Sequence, residues 1–244
     1  LSQLSLAIVR MRGLKNLGNT CYFNTAVQCL AHVPALAQHL FMNEYTGLCA
    51  ITFEYQKVLK QLFLKGVTEP VDPTNLFMAF QKVFPEFKTN EQNDAQEVII
   101  NLIAVFERSL GADFIKPIFE GDEIIRGKKQ PFTTMILPVT EPSNLQDLLS
   151  DHDVTKWPAV ISFTFCMTNY KFPVTIPFTF MNRKLFAVVM HKGGSVEAGH
   201  YGLLVKVHDK WYIKEDENVH ELPCQIAVMR GDFYMAMYRK SLSD

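Results

Sequence analysis

Residues 13–30 read GLKNLGNTCYFNTAVQCL. Two glycines and a cluster of small polar residues lead straight into Cys21, and the chain then turns at once into a helical pattern. Ala26, Val27, Leu30, Val33 and Leu36 recur close to the helical period, with Pro34 marking a kink or break. A helix that begins just after Thr20 would put Cys21 at its N-terminus. There, unpaired N–H groups and the positive end of the helix dipole favour thiolate over thiol. Gly13 and Gly18 would let the backbone approach a ligand closely, and Asn16, five residues before the cysteine, offers a side-chain N–H donor to a developing oxyanion. The same segment also fits a glycine-containing turn with asparagine as a local cap. The rest of the chain has to decide between the two.

At 244 residues the chain can bury a substantial core without disulfides. Its 24 Lys and Arg against 25 Asp and Glu set up no overall field, so charge gives no support to nucleic acid or an anionic membrane as partner. Every apolar run is broken well short of the roughly eighteen residues that span a bilayer. The opening LSQLSLAIVRMR lacks a basic lead and a small-residue cleavage site, so it does not read as a secretory signal, and Leu1 in place of Met leaves room for sequence ahead of it. The five cysteines, Cys21, Cys29, Cys49, Cys166 and Cys224, include no CxxC pair. This suits a reducing, intracellular setting and argues against a disulfide framework or a cysteine-rich zinc site. All but Cys21 are expected to be small apolar residues.

The order of elements is helices first, strands later, an α+β plan. Cys49–Leu64 carries Ile51, Tyr55, Val58 and Leu62 on one stripe; Asp72-Pro73 opens a short helix to about Val83; Asn90–Leu110 is the longest helix, stopped by Gly111. After Gly121 the β-branched and aromatic content predicts strands near 133–139, 160–166, 173–180, 185–191, 200–207, 211–214 and 233–238, in an antiparallel sheet with a turn at His208–Lys210. Residues 121–131, 141–158 and 192–199 are expected to be loops.

A cysteine nucleophile needs an imidazole. Of the seven histidines, His32 and His39 fall in the first helical stretch, and His152, His208 and His220 in polar loops or turns. His200 differs, since it follows the glycine-bearing HKGGSVEAG and opens the strand GHYGLLVKV, a rigid support beside a looser one. His191, at the end of the preceding strand, is the runner-up and fits a structural hydrogen-bonding role better. No histidine pair has ligand spacing with a carboxylate, so no metal site is expected.

The segments GLKNLGNTCYFNTAVQCL and GGSVEAGHYGLLVKVHDKWYIKEDENV closely resemble the cysteine and histidine boxes of the ubiquitin-specific proteases, the papain-like deubiquitinating cysteine proteases. Between them EQNDAQEV is similar to the family's QQDAxEF segment, and FYMAMYRK to its closing aromatic strand. The resemblance runs in family order from residue 13 to residue 240. It implies one catalytic domain over 1–244, with a helical thumb to about 120 and an antiparallel β palm from about 121. In the family's scheme Cys21 would attack the carbonyl of ubiquitin's terminal glycine, His200 would shuttle the proton, and Asn16 would stabilise the oxyanion. Gln92, Asp94 and Glu97 match the segment lining the path of the ubiquitin tail, where Asp94 and Glu97 would share a helix face. Gly199 and Tyr201 would narrow the slot for its Gly-Gly end.

The departures are specific. The family's zinc-binding fingers, with two CxxC pairs, have no counterpart in the cysteine-free stretch 121–157, so fingers are expected to be reduced or absent. Lys214 stands where the family has phenylalanine. The third catalytic residue, normally Asp or Asn four residues after the tryptophan, is Glu215 here, followed by Asp216. Glu215 is expected to orient His200 by position; Asp216 is the close alternative, either taking that role or serving the oxyanion side. The reading is thus a cofactor-free deubiquitinase, expected to be monomeric and to sit in the cytoplasm or nucleus, with ubiquitin and ubiquitinated proteins as partners. A protease for another ubiquitin-like modifier and a catalytically silent ubiquitin-binding scaffold are the alternatives.

Overall fold

The computed structural model describes residues 12–167, 172–195, 198–223 and 233–240. Cys224 and residues 196–197 of the expected 192–199 loop lie outside them. Helices come first: α1 (Cys21–Ala31), α2 (Pro34–Met42), α3 (Ala50–Leu62), α4 (Thr74–Val83), α5 (Ala95–Leu110) and α6 (Ala112–Phe119). Pro34 separates α1 from α2 as the first position of the new helix, where its missing N–H costs nothing. Helix α5 begins later than the periodicity predicts. Asn90 is left-handed at φ 64°, and Asp94 caps the helix by accepting from the Gln96 N–H at 2.7 Å.

Next come β1 (Gly121–Ile125), β2 (Lys128–Phe132), β3 (Met135–Val139), β4 (Ser143–Asn144), α7 (Leu145–Leu148), β5 (Asp153–Lys156), β6 (Val160–Met167), β7 (Val174–Thr175), β8 (Thr179–Phe180), β9 (Arg183–Ser195), β10 (Ala198–Val207), β11 (Lys210–Glu215), β12 (Asn218–Glu221) and β13 (Phe233–Lys240). The main sheet has the order β12-β11-β10-β9-β13-β6-β3, antiparallel except for the β3–β6 pair. Two of the stretches expected to be loops instead form a small sheet, β2-β1-β5. Its hairpin turns on Arg126 and Gly127, both at positive φ, as a two-residue connection requires. The signal is faint because β2 is charged, exposed and contains Pro131, all marks of an edge strand. The expected strand 173–180 shortens to two pieces flanking Pro177.

Every residue of α1 is buried, because the helix lies between the other helices and the main sheet. Strand alternation divides the sheet's two faces between two cores: Tyr201, Leu203 and Val205 of β10 join the helical core, while Leu204 joins the core on the outer face with Trp211 and Tyr238. A buried helix must satisfy its polar side chains internally. Asn24 reaches the loop before Cys21, and Gln28 donates to the Arg12 carbonyl at 2.9 Å and accepts from Lys214 at 2.6 Å. Helix α1 therefore carries Cys21 on a rigid support pinned from both sides. No helix among the described residues is long and apolar enough to cross a membrane.

Candidate active site

The loop into Cys21 is folded by Asn16. Its Oδ1 accepts from the Gly18 N–H at 2.9 Å and from the Thr20 N–H at 3.2 Å, while Thr20 Oγ1 accepts from the Leu17 N–H at 2.9 Å. Gly18 is needed at φ +100°, a region costly for any residue with a Cβ. The glycines do permit close approach, but to the chain itself rather than to a ligand. A side chain at Gly13 would run into the Asp216 carbonyl and Glu217 backbone, and one at Gly18 into the Asn90 carboxamide.

With its oxygen committed to the loop, Asn16 turns its Nδ2 outward and donates to Asp216 Oδ2 at 2.7 Å. The other carboxylate oxygen, Oδ1, accepts from Asn24 Nδ2 at 2.8 Å. Asp216 is left-handed at φ 49°, in the turn between β11 and β12. Two further bonds strap that turn to the Cys21 loop: the Leu14 N–H to the Asp216 carbonyl at 2.9 Å, and the Asn16 N–H to Glu217 Oε1 at 2.8 Å. Asp216 thus lies on the Asn16 side of the site. Glu215 points elsewhere, its carboxylate accepting from Lys192 Nζ at 2.8 Å. Lys192 is the ladder partner of His200 across β9 and β10. The His200 imidazole itself is half-buried and hydrogen-bonded to none of the described residues.

Cys21 is the first residue of α1 and only 2% exposed. The Tyr201 N–H points at its Sγ from 3.5 Å, which brings the strand bearing His200 against the cysteine. Burial raises the thiol's pKa more than anything else acts on it; the Tyr201 N–H opposes this, and the negative charge of Asp216 adds to it. The helix terminus therefore does not deliver a thiolate here, because desolvation outweighs the backbone N–H groups. The group waits as a neutral thiol.

Beside His200, Gln92 Nε2 donates to the Gly199 carbonyl at 2.5 Å and Gln92 Oε1 accepts from the Gly199 N–H at 2.8 Å. The Asp94 carboxylate, besides capping α5, accepts from the Tyr234 hydroxyl of β13. It therefore sits at the N-cap and does not share an outward face with Glu97. Glu97 is exposed in the first turn of α5, its pKa raised by partial burial and then by Asp94 and Glu86. Tyr201 is buried, its ring tilted against His191 at 4.4 Å and edge-on to Tyr234 at 5.7 Å. His191, the runner-up base, packs its ring where any side chain on Gly199 would have to go. Asn24, Lys192 and Tyr234 were not singled out from the sequence, though Asn24 and Tyr234 lie inside the quoted motifs.

The sequence matches the family model described as ubiquitin carboxyl-terminal hydrolase over residues 12–171 and 179–238. The chain belongs to this family. Curated relatives in the hydrolase family include ubiquitin carboxyl-terminal hydrolases 9 and 10 of Arabidopsis thaliana, each 31% identical over 120 residues, 45% of this chain and 13% of the relative. The chain thus matches a small part of those hydrolases' length. Among solved structures, the SAGA Ubp8/Sgf11/Sus1/Sgf73 DUB module is similar with a TM-score of 0.81 at 19% identity, over 98% of this chain and 70% of that one. The same module bound to ubiquitin aldehyde gives 0.79 at 16% identity, over 100% and 73%. These structures share the hydrolase fold, helices packed on a mostly antiparallel sheet. In this member of the family, the segment corresponding to the expected reduced fingers is the three-stranded β2-β1-β5 sheet.

Proposed function

We propose that this chain, read as one catalytic domain with a helical thumb and a β palm, is a thiol-dependent deubiquitinase. It would hydrolyse the isopeptide bond after the C-terminal Gly-Gly of ubiquitin. The observation that carries the reading is the approach of β10 to Cys21: the Tyr201 N–H meets Sγ at 3.5 Å, so the residue before it, His200, comes from the strand end that borders the nucleophile. In the reaction, Cys21 Sγ bonds to the carbonyl carbon of the terminal glycine as His200 takes the thiol proton. Asn16 has one Nδ2 hydrogen engaged by Asp216 and one left to face the tetrahedral oxyanion. His200 then returns the proton to the departing lysine amine, and water activated by the same imidazole releases the acyl group from sulfur. Because burial keeps the thiol protonated in the free protein, proton transfer to His200 accompanies attack instead of preceding it. Contact between the imidazole and sulfur tightens as substrate fills the cleft, a common change between free and bound states of such sites.

Exposed Glu97 offers its carboxylate to a basic tail, and Gly199 with Tyr201 forms the narrow end of its path. Asp216 serves the oxyanion side through Asn16, which leaves Glu215 as the carboxylate nearest in position to orient His200 once Lys192 yields it. A ubiquitin bearing a C-terminal electrophile tests the reading. It should label the wild-type protein at Cys21 and fail on Cys21→Ala. Absence of labelling with ubiquitin but labelling with another Gly-Gly-ending modifier would move the substrate; absence with all of them would leave a silent binding scaffold.

A further inference from the structure

Both polar atoms of the Gln92 side chain engage the backbone of one residue, as donor to the Gly199 carbonyl at 2.5 Å and acceptor from the Gly199 N–H at 2.8 Å. Meeting both backbone groups of one residue fixes the plane of the carboxamide and turns its polar end to Gly199. The loop that carries Gln92 is in turn fastened to the loop that carries the nucleophile. The Asn90 N–H donates to the Gly18 carbonyl at 3.2 Å, Asn19 Nδ2 donates to the Asn90 carbonyl at 2.8 Å, and Asn93 Nδ2 reaches the Tyr22 hydroxyl at 3.4 Å. On the opposite side of Gly199 stands the His191 ring, close enough that no side chain fits between them. Gly199 is therefore gripped from two directions, and the next residue is His200.

We propose that Gln92 is a positioning residue that sets His200 against Cys21 through its two-point clasp on the Gly199 backbone, and that reading the substrate tail is not its role. The connection runs from Cys21 through Gly18, Asn19 and Tyr22 to Asn90 and Asn93, and from Gln92 across the cleft to Gly199 and His200. Thumb and palm are also joined by the Tyr201 N–H at Cys21 Sγ, by Asp94 with Tyr234 and by Asn16 with Asp216, but the Gln92 clasp holds the Gly199 carbonyl, which is half of the peptide bond to His200. The length of the Gln92 side chain matters: asparagine is a methylene short of Gly199, and glutamate keeps the acceptor but loses the donor. The inference rests on the reading of Cys21 and His200 as a catalytic pair.

The test uses Gln92→Ala and Gln92→Asn with two readouts. With a fluorogenic ubiquitin C-terminal amide, kcat should fall about 10–100-fold, as expected for a misplaced catalytic group, while KM stays within about twofold. The second readout needs no ubiquitin: the pH dependence of iodoacetamide alkylation at Cys21, followed by mass spectrometry of the Cys21 peptide. His200→Ala should slow alkylation through the neutral range, since it removes the base that takes the thiol proton, and both Gln92 variants should shift towards the His200→Ala profile; Gln92→Asn also serves if Gln92→Ala folds poorly. A KM increase at unchanged kcat would make Gln92 a tail reader and overturn the proposal. So would an alkylation profile indistinguishable from wild type in the Gln92 variants, or in His200→Ala. If no ubiquitin substrate is cleaved at all, the deubiquitinase reading fails and the alkylation profiles still decide the role of Gln92.

Discussion

Lys214 is 4% exposed, on the face of β11 that packs against α1, and its ammonium donates to Gln28 Oε1 at 2.6 Å with no carboxylate among the described residues paired to it. The titratable groups facing it are His32, held neutral by burial first and by Lys214 next, and Arg239, whose guanidinium donates to the His32 carbonyl at 3.3 Å. Burial pushes Lys214 down to about 7 from its ordinary 10.5. The folded-state pKa lies below the unfolded one, so between these values the unfolded chain holds the extra proton. Stability therefore rises with pH across that window. Integrating the linkage between a folded value near 7 and an unfolded value near 10.5 gives a gain of about 2 kcal/mol from pH 7 to pH 9. His32 adds nothing to this slope, because its pKa is displaced below the window. Lys214→Met keeps the volume and removes the proton. Gln28 Oε1 then loses its donor, at a cost of about 1–3 kcal/mol, but equally at both pH values. Urea denaturation at pH 7 and pH 9 should show the stability of Lys214→Met relative to wild type declining by about 2 kcal/mol over that interval. Parallel pH dependences of the two proteins would refute the assignment of a neutral-leaning buried lysine.

Two further outcomes concern the carboxylates beside it. Asp216→Asn can accept with one oxygen where two are needed, so it should release Asn16 and lower kcat by about 10–100-fold with KM little changed, as loss of an oxyanion donor does, measured by steady-state hydrolysis of a ubiquitin C-terminal amide. Lys192→Met should raise kcat/KM by freeing Glu215 for His200, and Glu215→Gln in the same chain should cancel that gain; an unchanged or lower rate in Lys192→Met would show that the ion pair does not compete with the imidazole.

The sequence pattern exposes what is periodic or chemically marked. Helix α3 and strands β6, β9, β10 and β13 announce themselves because each lays an apolar stripe on a core. Strands β1, β2 and β5 do not, since their small sheet carries little apolar surface and half-buried or exposed positions prevail. In the candidate site, Cys21, His200 and Asn16 stand out because the residue types that suit a nucleophile, a base and an oxyanion donor are distinct within a motif, and their catalytic roles are proposed. Prior engagements were not legible. Nothing in EQNDAQEV says that Asp94 will cap α5 and accept from Tyr234, 140 residues away, or that Gln92 will close on Gly199. The same holds for the thiol: the helix terminus is visible in sequence, whereas the burial that acts against it belongs to the packed fold.

Strand alternation explains how three successive charged residues, Lys214, Glu215 and Asp216, come to occupy three different environments. On β11, Lys214 turns inward to Gln28 and Glu215 turns to the opposite face, beside Gly202 and Lys192. Gly202 leaves room for the longer carboxylate, whose Cγ lies 3.2 Å from where a Cβ would stand. Asp216 then escapes the alternation altogether, because its left-handed backbone ends the strand and swings the side chain to Asn16 and Asn24. Had Asp216 stayed in the strand, it would have followed Lys214 to the interior, where a second charge is costly to desolvate. The extra methylene of Glu215 has the opposite effect on the other side. It lets Lys192, the ladder partner of His200, hold the carboxylate, and an exposed ion pair is a weak, salt-screened bond. In the proposed mechanism the orientation of the imidazole is therefore governed by an exchangeable contact, while Asn16, the proposed oxyanion donor, is held by a half-buried aspartate whose two carboxylate oxygens both accept hydrogen bonds.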